Sequence, residues 1–358
     1  MTPTTSPSPA PDNDRSGPRP VVPAPSREAF FDNARIVMLS LVIVGHAIEP
    51  WLGHDRFLRA AYLALYAFHM PVFVWLAGRF AAEELTRPRA IRLVERVLVP
   101  LLVFQVLYSV FHHFAFGTPH LALGFVRPYW IMWFLMSLLW WRLLLPIFAV
   151  VPGSVFLAVA LASAAGLSNA VGYDLSLSRT LVFLPFFLLG YRMRRSDLAF
   201  LSTRWARAGS VAVLVSLAVA AWRFAPHLDE RWLYGSLGYG ALRVSAGAGM
   251  LWRVLGLVVA AVAGAAVLAW VPRQRRAWTG LGSRTLQGYV LHGFVVRAAI
   301  AAGWLTPAVL DSRWAQALLV LGAVALAPAL CTAAVERALG WLVAPPLGRW
   351  LQPRTTRR

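Results

Sequence analysis

The sequence predicts an all-α polytopic membrane protein with about ten transmembrane helices and both termini in the cytoplasm. Hydrophobic residues make up 59% of the chain and charged residues only 14%, whereas soluble domains carry about 25% charged residues. Apolar runs of roughly membrane-spanning length recur from Ile36 to the C-terminal region. The distribution of arginine supports the same topology.

The chain divides into two tails and one membrane domain. Residues 1–26 are rich in Pro, Ser and Thr and lack an apolar run, so we expect a disordered cytoplasmic tail without a secretory signal. Residues 27–341 form the predicted transmembrane domain, and residues 342–358 a short basic cytoplasmic tail. The predicted spans are 35–51, 60–80, 93–115, 129–150, 154–170, 179–193, 207–224, 247–271, 284–304 and 314–338.

The 34 basic residues are all arginines. If the N-terminus is cytoplasmic, most of them fall on the predicted cytoplasmic segments, as the positive-inside rule requires. Membrane topology therefore explains the net charge of +19, and we expect the bilayer rather than nucleic acid as partner. Cys331 lies in an apolar run, where helix packing is the simplest role for a lone cysteine.

The first predicted helix concentrates its ionisable residues on one face. With Arg35 at zero, Asp32 falls near 60°, His46 near 20° and Glu49 near −40°, at about 100° per residue. Ionisable groups at membrane depth are costly and usually face the bundle interior or a wet cavity. The alternative is that Asp32 and Arg35 pair at the cytoplasmic interface and that His46 is a hydrogen-bonded packing residue.

Two further histidines within predicted spans, His69 and His292, are candidates for the site. His69 is followed by Pro71, which predicts a break in the helix just after the histidine and a cavity beside it. Alternatively, His69 only satisfies a carbonyl that the kink leaves unpaired. His292 lies in the ninth span, with Tyr289 three residues earlier on a similar face.

A basic stretch precedes the third span. Arg89, Arg92 and Arg96 recur at helical spacing, which predicts one guanidinium face able to bind phosphate. The alternative is that these arginines only fix topology and contact lipid headgroups. No set of residues has the spacing of metal ligands, so we expect no metal.

In the order and spacing of these residues, the chain resembles acyltransferase family 3, a family of membrane enzymes. The similarity begins with the spacing from Arg35 to His46, preceded by Asp32, and covers nearly everything from Arg27 to about Trp341. The Phe31-Asp32-Asn33 start is closest to a subgroup of sugar O-acetyltransferases. The other similar stretches, in the same order, are Phe68-His69-Met70-Pro71 with Gly78, the Arg92/Arg96/Pro100 run, Phe183 to Tyr191, and Leu281 to Leu286 with Tyr289 and His292.

The resemblance implies an integral O-acyltransferase of a bacterial-type cell membrane. Such enzymes move an acyl group, usually acetyl, from cytoplasmic acyl-CoA to a hydroxyl of a glycan, glycolipid or secondary metabolite. By the motif match, His46 is implied as the catalytic histidine and Arg35 as its essential companion. Arg92 and Arg96 match the family's basic run.

The chemistry of acyl transfer fits the same residues. Attack of a hydroxyl on a thioester needs a base that accepts the hydroxyl proton, and histidine suits this role near neutral pH, which makes His46 the candidate base. His69 is a candidate for a secondary acid or base. Arg35 and the basic face are candidates for the CoA phosphates or the thioester oxygen. We assign supporting roles to the remaining polar residues, namely Asp32, Glu49, Tyr289 and His292.

Two other functions compete with acyl transfer. In a transporter or flippase, the intramembrane histidines and arginines would line a permeation path. In a noncatalytic membrane scaffold, a shared ionisable face on the first helix would have no purpose. Neither the acceptor hydroxyl nor the length of the acyl group follows from the sequence.

Overall fold

The computed structural model describes residues 28–121, 123–309 and 311–346, and in this part of the chain every regular element is helical. The predicted fold class is therefore confirmed. The α-helices are α1 Ala29–Ile48, α2 Arg56–Tyr66, α3 His69–Arg79, α4 Arg87–Leu93, α5 Val99–Phe116, α6 Trp133–Val150, α7 Ser154–Ala164, α8 Leu177–Arg192, α9 Arg204–Phe224, α10 Arg231–Tyr234, α11 Ala246–Leu268, α12 Thr285–Ala301, α13 Arg313–Leu330 and α14 Ala333–Val343.

Each of the ten predicted spans overlaps one or two helices of the described chain. Eight helical stretches there are long and apolar enough to cross a membrane. The fifth and ninth predicted spans correspond to shorter helices, α7 and α12. The last predicted span is divided, because α13 ends at Leu330 and α14 starts at Ala333. The predicted tails lie largely outside the described residues.

Helix α1 lies in the middle of the bundle, packed by α2, α3, α12 and α13. Its first turn is fixed by Asn33, which is fully buried. The Asn33 amide donates to the carbonyls of Pro272 at 2.8 Å and Gln274 at 3.0 Å, and its oxygen accepts a 2.7 Å bond from Thr279. These bonds set the rotation of α1, and with it the direction of Arg35 two residues later.

The predicted break beside His69 is present, but its predicted position was wrong. Helix α2 ends at Tyr66 and α3 begins at His69, so the break precedes the histidine instead of following it. Pro71 occupies the first turn of α3. Proline is tolerated there because the first N–H groups of a helix lack intrahelical acceptors.

Helices α3 and α8 cross at a pair of glycines. A Cβ atom on Gly78 would lie 1.9 Å from the carbonyl oxygen of Phe187, and one on Gly190 would lie 2.1 Å from the carbonyl oxygen of Trp75. Only glycine allows two helix backbones to approach this closely. The contact holds α8, which carries Arg179, beside the helix that begins at His69.

The spacing that predicted one face for Arg89, Arg92 and Arg96 is interrupted. A π-helical turn spans Val94–Leu98, between α4 and α5. A π turn adds a residue to the helical repeat, so Arg96 is rotated away from the direction that regular spacing would give it.

Candidate active site

A cavity of about 270 Å³ lies at the end of α1 that carries His46. We call it the histidine cavity. The break before α3 brings His69 to its wall, and α8 contributes Arg179. The remaining lining residues are Glu49, Tyr62, Tyr66, Met70, Pro128, Trp130, Ile131, Trp133, Tyr173, Phe183, Leu233 and Tyr234. The site is thus a polar chamber with aromatic walls.

His46 is held through one nitrogen of its ring. Nδ1 lies 3.4 Å from a carboxylate oxygen of Glu49 and 3.4 Å from the hydroxyl of Tyr66. A carboxylate only accepts hydrogen bonds when ionised, so this partner favours the tautomer with a proton on Nδ1. Nε2 then carries the lone pair that a general base needs.

Two aromatic rings fix the plane of the His46 imidazole. The Trp130 ring lies with its centroid 4.5 Å from that of His46, and the His292 ring stacks at 5.6 Å. Trp130 has a φ of 37°, which is uncommon for a residue with a side chain and costs conformational energy. The Arg297 guanidinium packs 4.4 Å above the Trp130 ring, and this cation–π contact stabilises the strained residue.

His69 and His292 are almost completely buried, and each bonds a backbone carbonyl through Nδ1. His69 contacts the carbonyl of Leu65 at 2.9 Å, and His292 that of Tyr289 at 2.6 Å. His69 thus bonds a carbonyl at the helix break, as in the simpler interpretation, but that carbonyl is not left unpaired, because the N–H of Phe68 also donates to it at 3.2 Å. His69 also lines the cavity. In the described chain, Nε2 of His292 is buried without a hydrogen-bond partner.

Arg179 was not singled out from the sequence, although it brings a positive charge into the histidine cavity. Its guanidinium packs between the rings of Trp133 and Tyr173 at 5.0 and 5.2 Å, and Nε donates to the carbonyl of Tyr234 at 3.2 Å. Burial raises the pKa of Tyr234 to about 12, so this neighbour stays neutral at physiological pH. Arg179 thus offers a charged donor to a polar substrate.

A second cavity, of about 220 Å³, lies at the Arg35 end of the same bundle. We call it the arginine cavity, because Arg35, Arg96 and Arg142 line it together. Arg35 forms a 3.0 Å ion pair with Asp32 and packs 4.1 Å above the Phe80 ring. The predicted Asp32–Arg35 pair is present, and Arg35 still lines the cavity.

Of the three predicted basic-face residues, Arg96 lines the arginine cavity and the other two do not. Arg89 contacts Glu84 instead, through a carboxylate oxygen at 3.4 Å and the carbonyl at 3.2 Å. Arg92 is exposed. Arg142, which was not singled out from the sequence, also lines the cavity, and its Nη1 donates to the carbonyl of Phe80 at 3.1 Å.

Helix α12 joins the two cavities. Tyr289 lines the arginine cavity, and His292, one turn later, stacks on His46 in the other. The Tyr289 hydroxyl donates to the carbonyl of Ile131, the residue after the strained Trp130. Since α1 is continuous, Arg35 and His46 are separated by eleven residues, or about 16 Å.

A family model described as an acyltransferase domain matches residues 28–332. The chain belongs to this family. The resemblance to acyltransferase family 3 is therefore confirmed, and membership assigns the chain to the membrane acyltransferases.

Two curated relatives share part of the sequence. Nodulation protein NolL of Sinorhizobium fredii is 29% identical over 125 residues, which are 31% of this chain and 34% of the relative. Nodulation protein NolL of Mesorhizobium japonicum is 32% identical over 65 residues, 17% of each chain. The chain thus matches about a third or less of the length of these relatives. No solved structure matches the chain significantly.

Proposed function

We propose that the protein is an O-acyltransferase of a bacterial-type cell membrane. It takes an acyl group, in our proposal acetyl, from acyl-CoA in the arginine cavity and transfers it to a hydroxyl in the histidine cavity. The observation that carries the proposal is the pair of cavities at the two ends of the polar face of α1, one lined by Arg35 and the other by His46. A glycan, glycolipid or hydroxylated metabolite is the acceptor.

His46 acts as the general base in this reaction. The acceptor oxygen attacks the thioester carbonyl carbon, and its proton passes to Nε2 of His46. Glu49, bonded to Nδ1, stabilises the imidazolium as it forms. When the tetrahedral intermediate collapses, the C–S bond breaks and the CoA thiol leaves with the proton from His46. An ester and free CoA are the products.

Arginines at both ends of the site provide positive charge that binds the CoA phosphates and stabilises the oxyanion. The CoA phosphates need charged donors, which Arg35, Arg96 and Arg142 present together. The oxyanion of the intermediate needs a donor near His46, and Arg179 is the charged residue of the histidine cavity that meets this need. The arginine-rich segments predicted for the cytoplasmic side support entry of acyl-CoA from that compartment.

The direct test is His46→Gln in purified protein supplied with acetyl-CoA and hydroxylated sugars. We expect release of free CoA thiol to fall by about a thousandfold or more, since the base is lost while binding remains. His54→Gln is the matched control, because His54 is exposed and follows His46 by eight residues in the chain. It should retain full activity.

Two results would contradict the proposal. One is His46→Gln with unchanged CoA release at an unchanged melting temperature. The other is movement of a hydroxylated substrate across proteoliposomes without any CoA release, which would favour the transporter alternative. Acetyl-CoA should also raise the melting temperature of the native protein, because it binds the folded state.

A further inference from the structure

A third cavity, of about 360 Å³, lies in a groove between α3, α8 and α11. We call it the apolar groove. Its walls come from residues such as Pro71, Phe186 and Ala260, and the α10 region closes it with Trp232. The volume is in the range of ligand sites. Because lipid-facing surfaces are usually apolar, shape alone does not identify an occupant.

One residue of the groove, Arg253, is charged although its neighbours in the groove are mostly apolar. Arg253 is the single charged residue among the described lining residues of the groove, and only 5% of its surface is exposed. Nη2 donates a 3.3 Å bond to the carbonyl of Leu237, and the Tyr239 side chain is a further polar neighbour of the guanidinium. Nε and Nη1 have no hydrogen-bond partner in the described chain. An arginine buried with unpaired N–H groups is costly, so an anion at this position would relieve the cost.

The surroundings of Arg253 place this charge at one end of the groove. Its guanidinium lies 5.9 Å from the Trp232 ring and 5.7 Å from the Tyr239 ring. From Arg253 the lining residues of α11 continue to Ala260, seven residues or about 10 Å away. The groove therefore offers a charged end and an apolar length, which is the pattern of an alkyl chain attached to an anionic group.

The apolar groove adjoins the histidine cavity. Tyr66, Phe183 and Leu233 line both. Tyr66 also contacts Nδ1 of His46 through its hydroxyl. A molecule whose chain lies in the groove would therefore have its polar head next to the side chains that surround the general base.

We propose that the acceptor is a lipid-linked molecule in which one alkyl chain is joined through a phosphate to a hydroxyl-bearing head. The chain occupies the apolar groove, the phosphate pairs with Arg253, and the head reaches His46. This inference rests on the proposed function, because it names the class of acceptor for the same transfer. Because its alkyl chain would keep the acceptor in the membrane, the acceptor hydroxyl would reach the site without diffusing through water.

Binding can be tested without turnover. The full chain is placed in phosphatidylcholine nanodiscs with an alkyl phosphate that carries a diazirine near the chain end, and labelled peptides are mapped by mass spectrometry after irradiation. We expect labels near Pro71 on α3 and Ala260 on α11. Unlabelled hexadecyl phosphate should compete, whereas hexadecanol should not, since only the phosphate can pair with Arg253.

Two variants remove the two parts of the site. Gly256→Leu adds a side chain to the wall of the groove at a position where a Cβ meets nothing within 4 Å. Gly247→Leu, on the same helix and equally open at the Cβ, is its control. Arg253→Gln removes the charge. We expect each of Gly256→Leu and Arg253→Gln to reduce labelling by about tenfold, the effect of one lost charged contact, and Gly247→Leu to leave it unchanged.

Labels spread evenly over the outward-facing helices α9 and α13, or labelling unaffected by Gly256→Leu, would overturn the inference. Equal competition by phosphatidylglycerol would also overturn it, because the occupant would then be bulk lipid. The outcome is separable from that of the proposed function. If His46→Gln loses CoA release but labelling shows no preference for the apolar groove, the lipid-linked acceptor alone is refuted. If labelling of the groove is specific but the native protein releases no CoA, acyl transfer alone is refuted.

Discussion

Replacing Glu49 with glutamine tests whether His46 works as a base supported by a carboxylate. The substitution keeps the size of the side chain and removes its charge. His46 gains a positive charge only as the acceptor proton arrives, so the ion pair with Glu49 stabilises the transition state more than the ground state. We therefore expect kcat to fall, while the KM for acyl-CoA, which depends on the arginine cavity, stays unchanged.

The size of the effect follows from the distance between the two groups. At 3.4 Å, two unit charges attract by about 1.2 kcal/mol in bulk water and about 5 kcal/mol at an effective dielectric constant of 20. The Glu49 side chain is 42% exposed, so screening places the loss in the lower part of this range, at about 1.4–2.8 kcal/mol. This corresponds to a decrease in kcat of about 10- to 100-fold.

The assay is steady-state release of CoA thiol from acetyl-CoA by the purified protein. Glu230→Gln is the control, because Glu230 also pairs with an arginine, Arg59, at 2.8 Å, but does not line the histidine cavity. It should change kcat by less than about twofold, as expected for a pair away from the reacting atoms. A kcat within threefold of the native value for Glu49→Gln, or an equal loss in both variants, would refute the reasoning.

Three further predictions concern stability and donor binding. Asn33→Ala should lower the free energy of unfolding by about 3 kcal/mol, roughly 1 kcal/mol for each of its three buried hydrogen bonds, as measured by denaturant unfolding in detergent. Gly78→Ala should prevent folding, because its Cβ would overlap the Phe187 carbonyl, whereas Gly247→Ala should be tolerated; size-exclusion chromatography distinguishes the two, and a monodisperse Gly78→Ala protein would contradict the close crossing. Arg142→Gln should raise the KM for acyl-CoA by about tenfold, the effect of one charged hydrogen bond, with kcat unchanged; a fall in kcat alone would place Arg142 outside the donor site.

The sequence predicts the part of the site that one helix carries. Asp32, Arg35, His46 and Glu49 lie within eighteen residues, and helical periodicity alone brings them to one face. The structure retains this relation because α1 is continuous from Ala29 to Ile48 and Glu49 begins the 3-10 turn that follows it directly. The pairing of Asp32 with Arg35 was also predictable, since three residues is the spacing at which side chains of a helix meet.

The rest of the site depends on packing between distant segments. Arg179 reaches the histidine cavity because α8 crosses α3 at two glycines, which no local pattern predicts. In the sequence, Arg142 was not distinguished from the other arginines of the predicted cytoplasmic segments. The prediction that Arg92 and Arg96 share one face assumed regular helical spacing between them. The π-helical turn at Val94–Leu98, which contains Arg96, interrupts that spacing.

The contrast between the three histidines of the site gives a physical reason for assigning the base to His46. Each is held through Nδ1, but His69 and His292 bond to backbone carbonyls and are almost fully buried. Among the three, His46 is the one whose Nδ1 faces a carboxylate, that of Glu49, and whose side chain keeps 15% exposure. A buried imidazolium without an anionic neighbour is costly, whereas His46 can accept a proton beside a negative charge. His69 and His292 are therefore better suited to position the ring and the substrate than to carry the proton, and His69 need not act as a second acid or base.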